Sequence, residues 1–205
     1  MSQFFSIHPE NPQSRLINDA VKIIQSGGVI VYPTDSAYAL GCQLKNKEAL
    51  TRIKNIRQLD DKHNFTLVCK DLSEIATYAE VDNIKYRLLK SLTPGAYTFL
   101  LKATKEVPRR LLHPKRKIIG IRIPDCKITL ALLEELNEPI MSTTLILPGE
   151  ELPLSDPEVI YNKLASQVDL IVDGGSCGLD PTSVIDLHEE QPRVKRVGKG
   201  DVSQF

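Results

Sequence analysis

A mixed α/β fold on one twisted sheet, in a single domain, is what this sequence predicts, and three observations carry it. Segments with helical spacing mix with short apolar runs from end to end, with no internal repeat and no low-complexity linker. Near the C-terminus three strand-like runs (170–173, 183–186 and 194–197) follow one another with no helix between them, which argues against a purely parallel, doubly wound sheet. The 205 residues suffice to bury a core without disulfide or metal staples.

The elements follow in order. Asn11-Pro12 reads as an N-cap with proline in the first helical position. Leu16, Ile17, Ala20, Val21, Ile23 and Ile24 then keep helical spacing until Gly27-Gly28 stops the helix. Val29 to Tyr32 reads as a buried strand that breaks at Pro33. A helix over 47–57 places Ala49, Leu50, Ile53 and Ile56 on one face and ends in the basic Arg52, Lys54 and Arg57. After a polar loop, residues 65–68 form a strand. Asp71 and Asp82 cap helices over 71–78 and 82–91. Thr93-Pro94-Gly95 is a turn, 97–101 a strand, and 108–112 one helical turn. Residues 118–123 form a strand closed by Pro124, 128–136 an amphipathic helix, and 140–144 a short strand. Ser155-Asp156-Pro157-Glu158 has capping-box spacing and opens a helix to about residue 164.

Charge and cysteine content narrow the function. Lys and Arg number 26 and Asp and Glu number 26, so any nucleic-acid surface must come from local clustering rather than net charge. The four cysteines (Cys42, Cys69, Cys126 and Cys177) are scattered without a C-x-x-C pair, as in reduced structural thiols. No two of the histidines His8, His63, His113 and His188 have metal-ligand spacing, so no metal site is expected. The N-terminus lacks the basic and apolar regions of a signal peptide. No apolar run reaches the roughly 18 residues of a membrane helix. A cytoplasmic protein without a membrane partner is expected.

Polar residues punctuate several strand ends: Pro33-Thr34-Asp35-Ser36, Ser142-Thr143-Thr144, Asp173-Gly174-Gly175-Ser176 and Pro181-Thr182-Ser183. Strand ends are where open α/β sheets place ligands, and short hydroxyls and glycines let backbone N–H groups approach phosphate. There is no P-loop, no G-x-G-x-x-G and no G-x-S-x-G, and no catalytic nucleophile is identified. Basic residues cluster as Lys105, Arg109, Arg110, Lys115, Arg116, Lys117 and Arg122, and again as Arg193, Lys195, Arg196 and Lys199. Solvated charge is one reading of these clusters. The other is a phosphate-backbone surface for RNA, with Arg109, Arg110, Lys115, Arg116 and Lys117 as candidates. Arg122 stands apart, because Ile121 and Ile123 flank it in a strand. It should face a groove or a buried anion.

Taken together these motifs resemble the YrdC-like superfamily. Pro33-Thr34-Asp35-Ser36-Ala37-Tyr38-Ala39-Leu40-Gly41-Cys42 resembles its P-T-D/E-T-x-Y-G-L-G-C signature. Thr93-Pro94-Gly95-Ala96-Tyr97-Thr98, Gly120-Ile121-Arg122-Ile123-Pro124, Asp173-Gly174-Gly175 and Pro181-Thr182-Ser183-Val184-Ile185-Asp186 resemble further family motifs, in the family's order. Gln58, the stretch His63-Asn64-Phe65-Thr66-Leu67, and Val107-Pro108-Arg109-Arg110-Leu111-Leu112 resemble the YciO branch. The resemblance implies one YrdC-like domain over 1–205, with its core motifs at about 14–200. It also implies a twisted mixed sheet flanked by helices around a positively charged concave groove. Well-known members make threonylcarbamoyl-adenylate from threonine, bicarbonate and ATP, for threonylcarbamoyladenosine modification of tRNA.

By the same resemblance Thr34, Tyr38 and Arg122 belong to the threonine side of the groove. Arg57, Ser142, Thr144, Ser183 and Arg196 belong to nucleotide and phosphate contacts. ATP is implied with Mg²⁺ carried on its phosphates and no tightly bound cofactor, and double-stranded RNA or tRNA is the implied partner. Two departures bear on catalysis. Synthases carry K-x-R where this chain has Asn55-Ile56-Arg57, and S-x-N where it has Ser142-Thr143-Thr144. Ala39 and Cys69 stand where the family has glycine and histidine. The expectation is a nucleotide- and RNA-binding relative of the synthases, with weakened nucleotidyltransfer. The alternatives are an authentic synthase in which Lys54 or another lysine compensates, and a non-catalytic RNA-binding module.

Overall fold

In the computed structural model, residues 2–60, 63, 65–112 and 117–205 are described. The strands are β1 (Gln3–Ser6), β2 (Ile30–Tyr32), β3 (Ala39–Gln43), β4 (Thr66–Val68), β5 (Tyr97–Lys102), β6 (Ile118–Arg122), β7 (Ile140–Thr144), β8 (Leu170–Asp173), β9 (Ser183–Asp186) and β10 (Arg193–Arg196). The helices are α1 (Ser14–Gln25), α2 (Lys47–Arg57), α3 (Leu72–Tyr78), α4 (Asn83–Leu92), α5 (Lys127–Leu136) and α6 (Pro157–Leu164), with a single 3₁₀ turn at Arg109–Leu111. The strands form one sheet in the order β1-β8-β2-β3-β7-β4-β6-β5-β9-β10. Four neighbouring pairs are parallel and five antiparallel, so the sheet is mixed, as the helix-free C-terminal strands require.

Local chemistry sets most boundaries. Helix α1 ends in a left-handed Gly27 (φ +90°), with Gly28 N bonded to Ile23 O and Gly27 N to Ile24 O. Asn46, Asp71 and Asp82 cap α2, α3 and α4 through their side chains. Two expected caps are not the ones used. Helix α1 starts at Ser14 rather than at Asn11-Pro12, because His8 Nδ1 accepts from the Glu10 and Asn11 backbones and holds that segment as a turn. At α6 the cap is Asp156, which accepts from Glu158 N and Val159 N, rather than Ser155. The last strand ends at Arg196, one residue short of Val197. Strands β1 and β3 add to the expected set. In β3, Ala39 and Gly41 are residues of low strand propensity, held by pairing with β2 and β7 on both sides.

The two faces of the sheet are covered unequally, and this creates the site. On one face a large core gathers Ile53 and Ile56 of α2, Ile75 of α3, Leu89 of α4 and Ile160 of α6 against Leu67, Phe99, Ile119, Ile121 and Ile185. On the other, α1 and α5 pack over β8, β2, β3, Val68 and Ile140, and no residue of β5, β6, β9 or β10 joins that second core. Among the described residues, no helix packs on the far half of this face.

Candidate functional site

The uncovered half of the sheet floors a cavity of about 530 Å³. Side chains on one face recur at every second residue. Here they are small or hydroxylated: Ala39 on β3, Ser142 and Thr144 on β7, Thr66 on β4, Gly120 on β6 and Thr98 on β5. A Cβ on Gly120 would lie 3.0 Å from Thr66 Oγ1 and 3.3 Å from Phe65 O. This tile of the floor is thus kept bare by its neighbours. Leu100, Ile118, Ile146 and Val184 add apolar wall.

The β2–β3 loop closes one side. Thr34 Oγ1 donates to Ala37 O at 2.6 Å and accepts from Ser36 N and Ala37 N, each at 3.2 Å. This self-bonded turn presents Ser36 and Asp35 to Arg122. Arg122 Nη1 reaches Ser36 Oγ at 3.3 Å, and Nη2 pairs with Asp35, whose other oxygen accepts from Asp125 N at 2.9 Å. Arg122 is only 7 % exposed, lines the cavity, and leaves its buried Nε without a partner among the described residues. The strand pattern placed this arginine toward a groove or a buried anion, and it meets both.

Arg57 enters from the C-terminal end of α2, which a left-handed Gln58 terminates. Burial pushes its guanidinium pKa down, and its buried Nε has no hydrogen-bond partner among the described residues. His63 lies beside it. Its Nε2 shares a 3.1 Å hydrogen bond with Thr143 Oγ1, and its ring meets Phe65 edge-on. Burial first, then the Arg57 charge, lowers the His63 pKa, so the imidazole is neutral at physiological pH. Arg196 binds Thr182 O through Nε and Nη2, at 3.0 and 2.8 Å, on the opposite rim. There Lys195 and the buried Asp186 complete the lining.

Of the residues singled out from sequence, Arg57, Arg122, Ser142, Thr144 and Arg196 line this one cavity. Thr34, Tyr38 and Ser183 do not. Tyr38 is fully buried, donates to Gly175 O at 2.6 Å and accepts from Gly174 N at 3.2 Å. Ser183 Oγ donates to Gly200 O and accepts from Gly198 N, at 2.6 and 2.9 Å, pinning the C-terminal segment. These three hold the walls. Ser142 Oγ accepts from Tyr32 Oη at 2.7 Å. Asn55 is exposed and outside the lining, because α2 runs on through Arg57 and turns Ile53 and Ile56 inward instead.

Arg109, Arg110 and Lys117 also lie outside the cavity and are exposed, and Arg110 Nη2 is tied to Lys45 O at 2.6 Å. Lys115, Arg116 and His113 fall outside the described residues. Asp186, Thr66, Thr98, Thr182 and His63 line the cavity without being among the candidate site residues, although Thr182 lies in a punctuated strand end and Thr98 and Asp186 in the quoted motifs. The alternation of small and hydroxyl residues along facing strands is the signal that points to most of them. All four cysteines are free, and burial pushes the Cys177 thiol up to about 11. Among the described residues no three of His, Cys, Asp and Glu cluster as metal ligands, and no helix is long and apolar enough to cross a membrane.

Comparison with known proteins agrees with this architecture. The Sua5/YciO/YrdC family model, described as telomere recombination, matches residues 22–198. The chain is 62 % identical to YciO of Escherichia coli over 205 residues, all of both chains. The crystal structure of that protein superposes with a TM-score of 0.96, covering 99 % of this chain and 98 % of that one. A threonylcarbamoyl-AMP synthase of Coxiella burnetii is 28 % identical over 159 residues, 77 % of this chain and 84 % of the synthase. P. abyssi Sua5 complexed with L-threonine shares the fold at 23 % identity, with a TM-score of 0.88 over 96 % of this chain and 58 % of that one.

Proposed function

Because this chain belongs to the Sua5/YciO/YrdC family and is related to the threonylcarbamoyl-AMP synthases, we propose that its cavity binds ATP through the phosphates while forming adenylate slowly. The observation that carries this reading is Arg57. A guanidinium whose buried Nε–H finds no acceptor is costly, by about 1–3 kcal/mol for a group left unsatisfied. Arg122 presents the same deficit in the same cavity. Both guanidinia line the cavity, where phosphate oxygens would give them acceptors once the side chains shift toward the ligand, and guanidinium suits phosphate better than ammonium. A cavity of about 530 Å³ lies within the range of small-molecule sites.

Slow chemistry follows from two positions. Asn55 stands where the synthase pattern has lysine, and its side chain faces solvent. Thr144 lines the cavity with one hydroxyl where the pattern has an amide. Losing one preorganised group that stabilises developing charge costs about 2.7–4 kcal/mol of barrier. Mg²⁺ would arrive with the nucleotide phosphates. Exposed Arg109 and Lys117, with the basic edge strand β10, also support RNA or tRNA as a partner.

Calorimetric titration with Mg-ATP should give saturable binding. Labelled ATP with threonine and bicarbonate should release little pyrophosphate. Absence of ATP binding would overturn the nucleotide reading, whereas rapid formation of threonylcarbamoyl-adenylate would overturn only the slow-chemistry part. Double-stranded RNA binding should weaken with salt as counterion release requires, and no binding at low salt removes that partner.

A further inference from the structure

The cavity floor is graded in charge from strand to strand. Registration places Thr66, Gly120, Leu100 and Asp186 on one row across β4, β6, β5 and β9. Arg122 lies two residues beyond Gly120, and Arg196 pairs with Val184, two residues before Asp186. One row is thus cationic and its neighbour ends in a carboxylate. With about 3.4 Å per residue along a strand and 4.8 Å between strands, Asp186 stands roughly 12 Å from Arg122, a separation on the scale of a nucleotide.

We propose that Asp186 reads the nucleoside end of the bound nucleotide, its Oδ2 accepting a hydrogen bond from a neutral donor, either a ribose hydroxyl or an exocyclic base amine. This rests on the nucleotide reading above. Asp186 is 3 % exposed yet lines the cavity. Its Oδ1 is held by the His188 backbone N–H at 3.2 Å and by a short contact to His188 Nδ1. Its Oδ2 accepts no hydrogen bond among the described residues, and Lys195 Nζ stays 3.6 Å away, a loose ion pair on an exposed lysine. One oxygen is therefore fixed and the other is available to a ligand. Burial pushes the carboxyl pKa up, but hydrogen bonds and charge from His188, with Lys195, bring it net below the usual range. An ionised carboxylate repels phosphate, so the anionic end of the ligand belongs with Arg57 and Arg122 and the donor-bearing end with Asp186. Leu100, Ile118 and Val184 give that end apolar walls suited to a flat base.

The test titrates the protein with Mg-complexes of ATP, 2′-deoxy-ATP, 3′-deoxy-ATP and inosine triphosphate. The two deoxy analogues each remove one hydroxyl donor, whereas inosine triphosphate replaces the exocyclic amine by a carbonyl and moves the donor to N1–H, so weaker binding of it reads the changed base edge. At least one should bind about tenfold or more weakly than ATP, as expected for losing a hydrogen bond to a charged acceptor, and it identifies the donor. In Asp186→Ala that analogue and ATP should bind alike. Thermal melting establishes that the variant is folded; should Asp186→Ala unfold, Asp186→Asn carries the test and should shrink the preference at least threefold. Equal binding of all four nucleotides by the wild type, or an undiminished preference in the variants, overturns the assignment and leaves the nucleotide reading standing. No binding of any nucleotide overturns both.

Discussion

Replacing Arg122 by methionine tests the site and the fold together. Its guanidinium and the Asp35 carboxylate are each 9 % exposed in their side chains, so the pair is a buried one that solvent screens little. Removing the arginine leaves a buried carboxylate whose remaining hydrogen bond among the described residues comes from Asp125 N–H at 2.9 Å, with the Lys199 ammonium nearby on the Asp35 carbonyl. Breaking a buried pair from one side costs about 3–5 kcal/mol. At about 2–4 °C per kcal/mol for a chain of this size, the melting temperature should fall by roughly 6–20 °C. The Arg122→Met, Asp35→Leu double variant should cost clearly less than the sum of the single changes, because no charge is then stranded. Urea denaturation of all four proteins closes the cycle. A loss below about 1 kcal/mol in Arg122→Met, or simple additivity, would show that the pair is effectively solvated, as surface pairs are. The account of Arg122 as a desolvated cation of the cavity wall would then fail.

Three further outcomes follow from the same geometry. His63 has a folded-state pKa below its unfolded value, so the unfolded chain binds the extra proton first as pH falls. Its contribution to stability is present above the unfolded pKa of about 6.5 and is lost as pH drops below it, toward the lower folded value. Urea midpoints at pH 7.5 and 5.5 should therefore differ less in His63→Gln than in the wild type, and an equal difference refutes the assignment. Thr144→Asn puts a second hydrogen-bonding group into the cavity lining and should raise pyrophosphate release. Asn55→Lys alone, on the solvent side of α2, should leave ATP affinity within about twofold; a large gain would mean that the α2 end rearranges around ligand.

How much of this was legible beforehand depended on the range of the interactions involved. Helix α2 could be bounded from sequence because its determinants are local: the Asn46 cap, the apolar spacing of Ala49, Leu50, Ile53 and Ile56, and the stop at Gln58. The Asn11-Pro12 and Ser155 caps failed because competing partners one to three residues away took over, His8 in one case and Asp156 in the other. Strand β3 was invisible for a different reason. Its Ala-Leu-Gly-Cys composition has no strand signal of its own, and pairing with strands distant in the chain supplies the conformation. Arg122 was legible because a charge between two isoleucines in a strand has few places to go.

The division between residues that line the cavity and residues that build it could not be read from motifs. Thr34, Tyr38 and Ser183 sit in the most recognisable segments of the chain, yet their hydroxyls are consumed by Ala37 O, Gly175 O and Gly200 O. The cavity instead draws on seven strands, mostly at alternate positions, and brings together residues that are far apart in the chain. A hydroxyl acts on a ligand only if the fold leaves it unspent, and that is decided by neighbours far away in sequence. The motifs therefore locate the frame, and the uncovered half of the sheet, set by where α1 and α5 stop, decides which side chains remain free to meet a ligand.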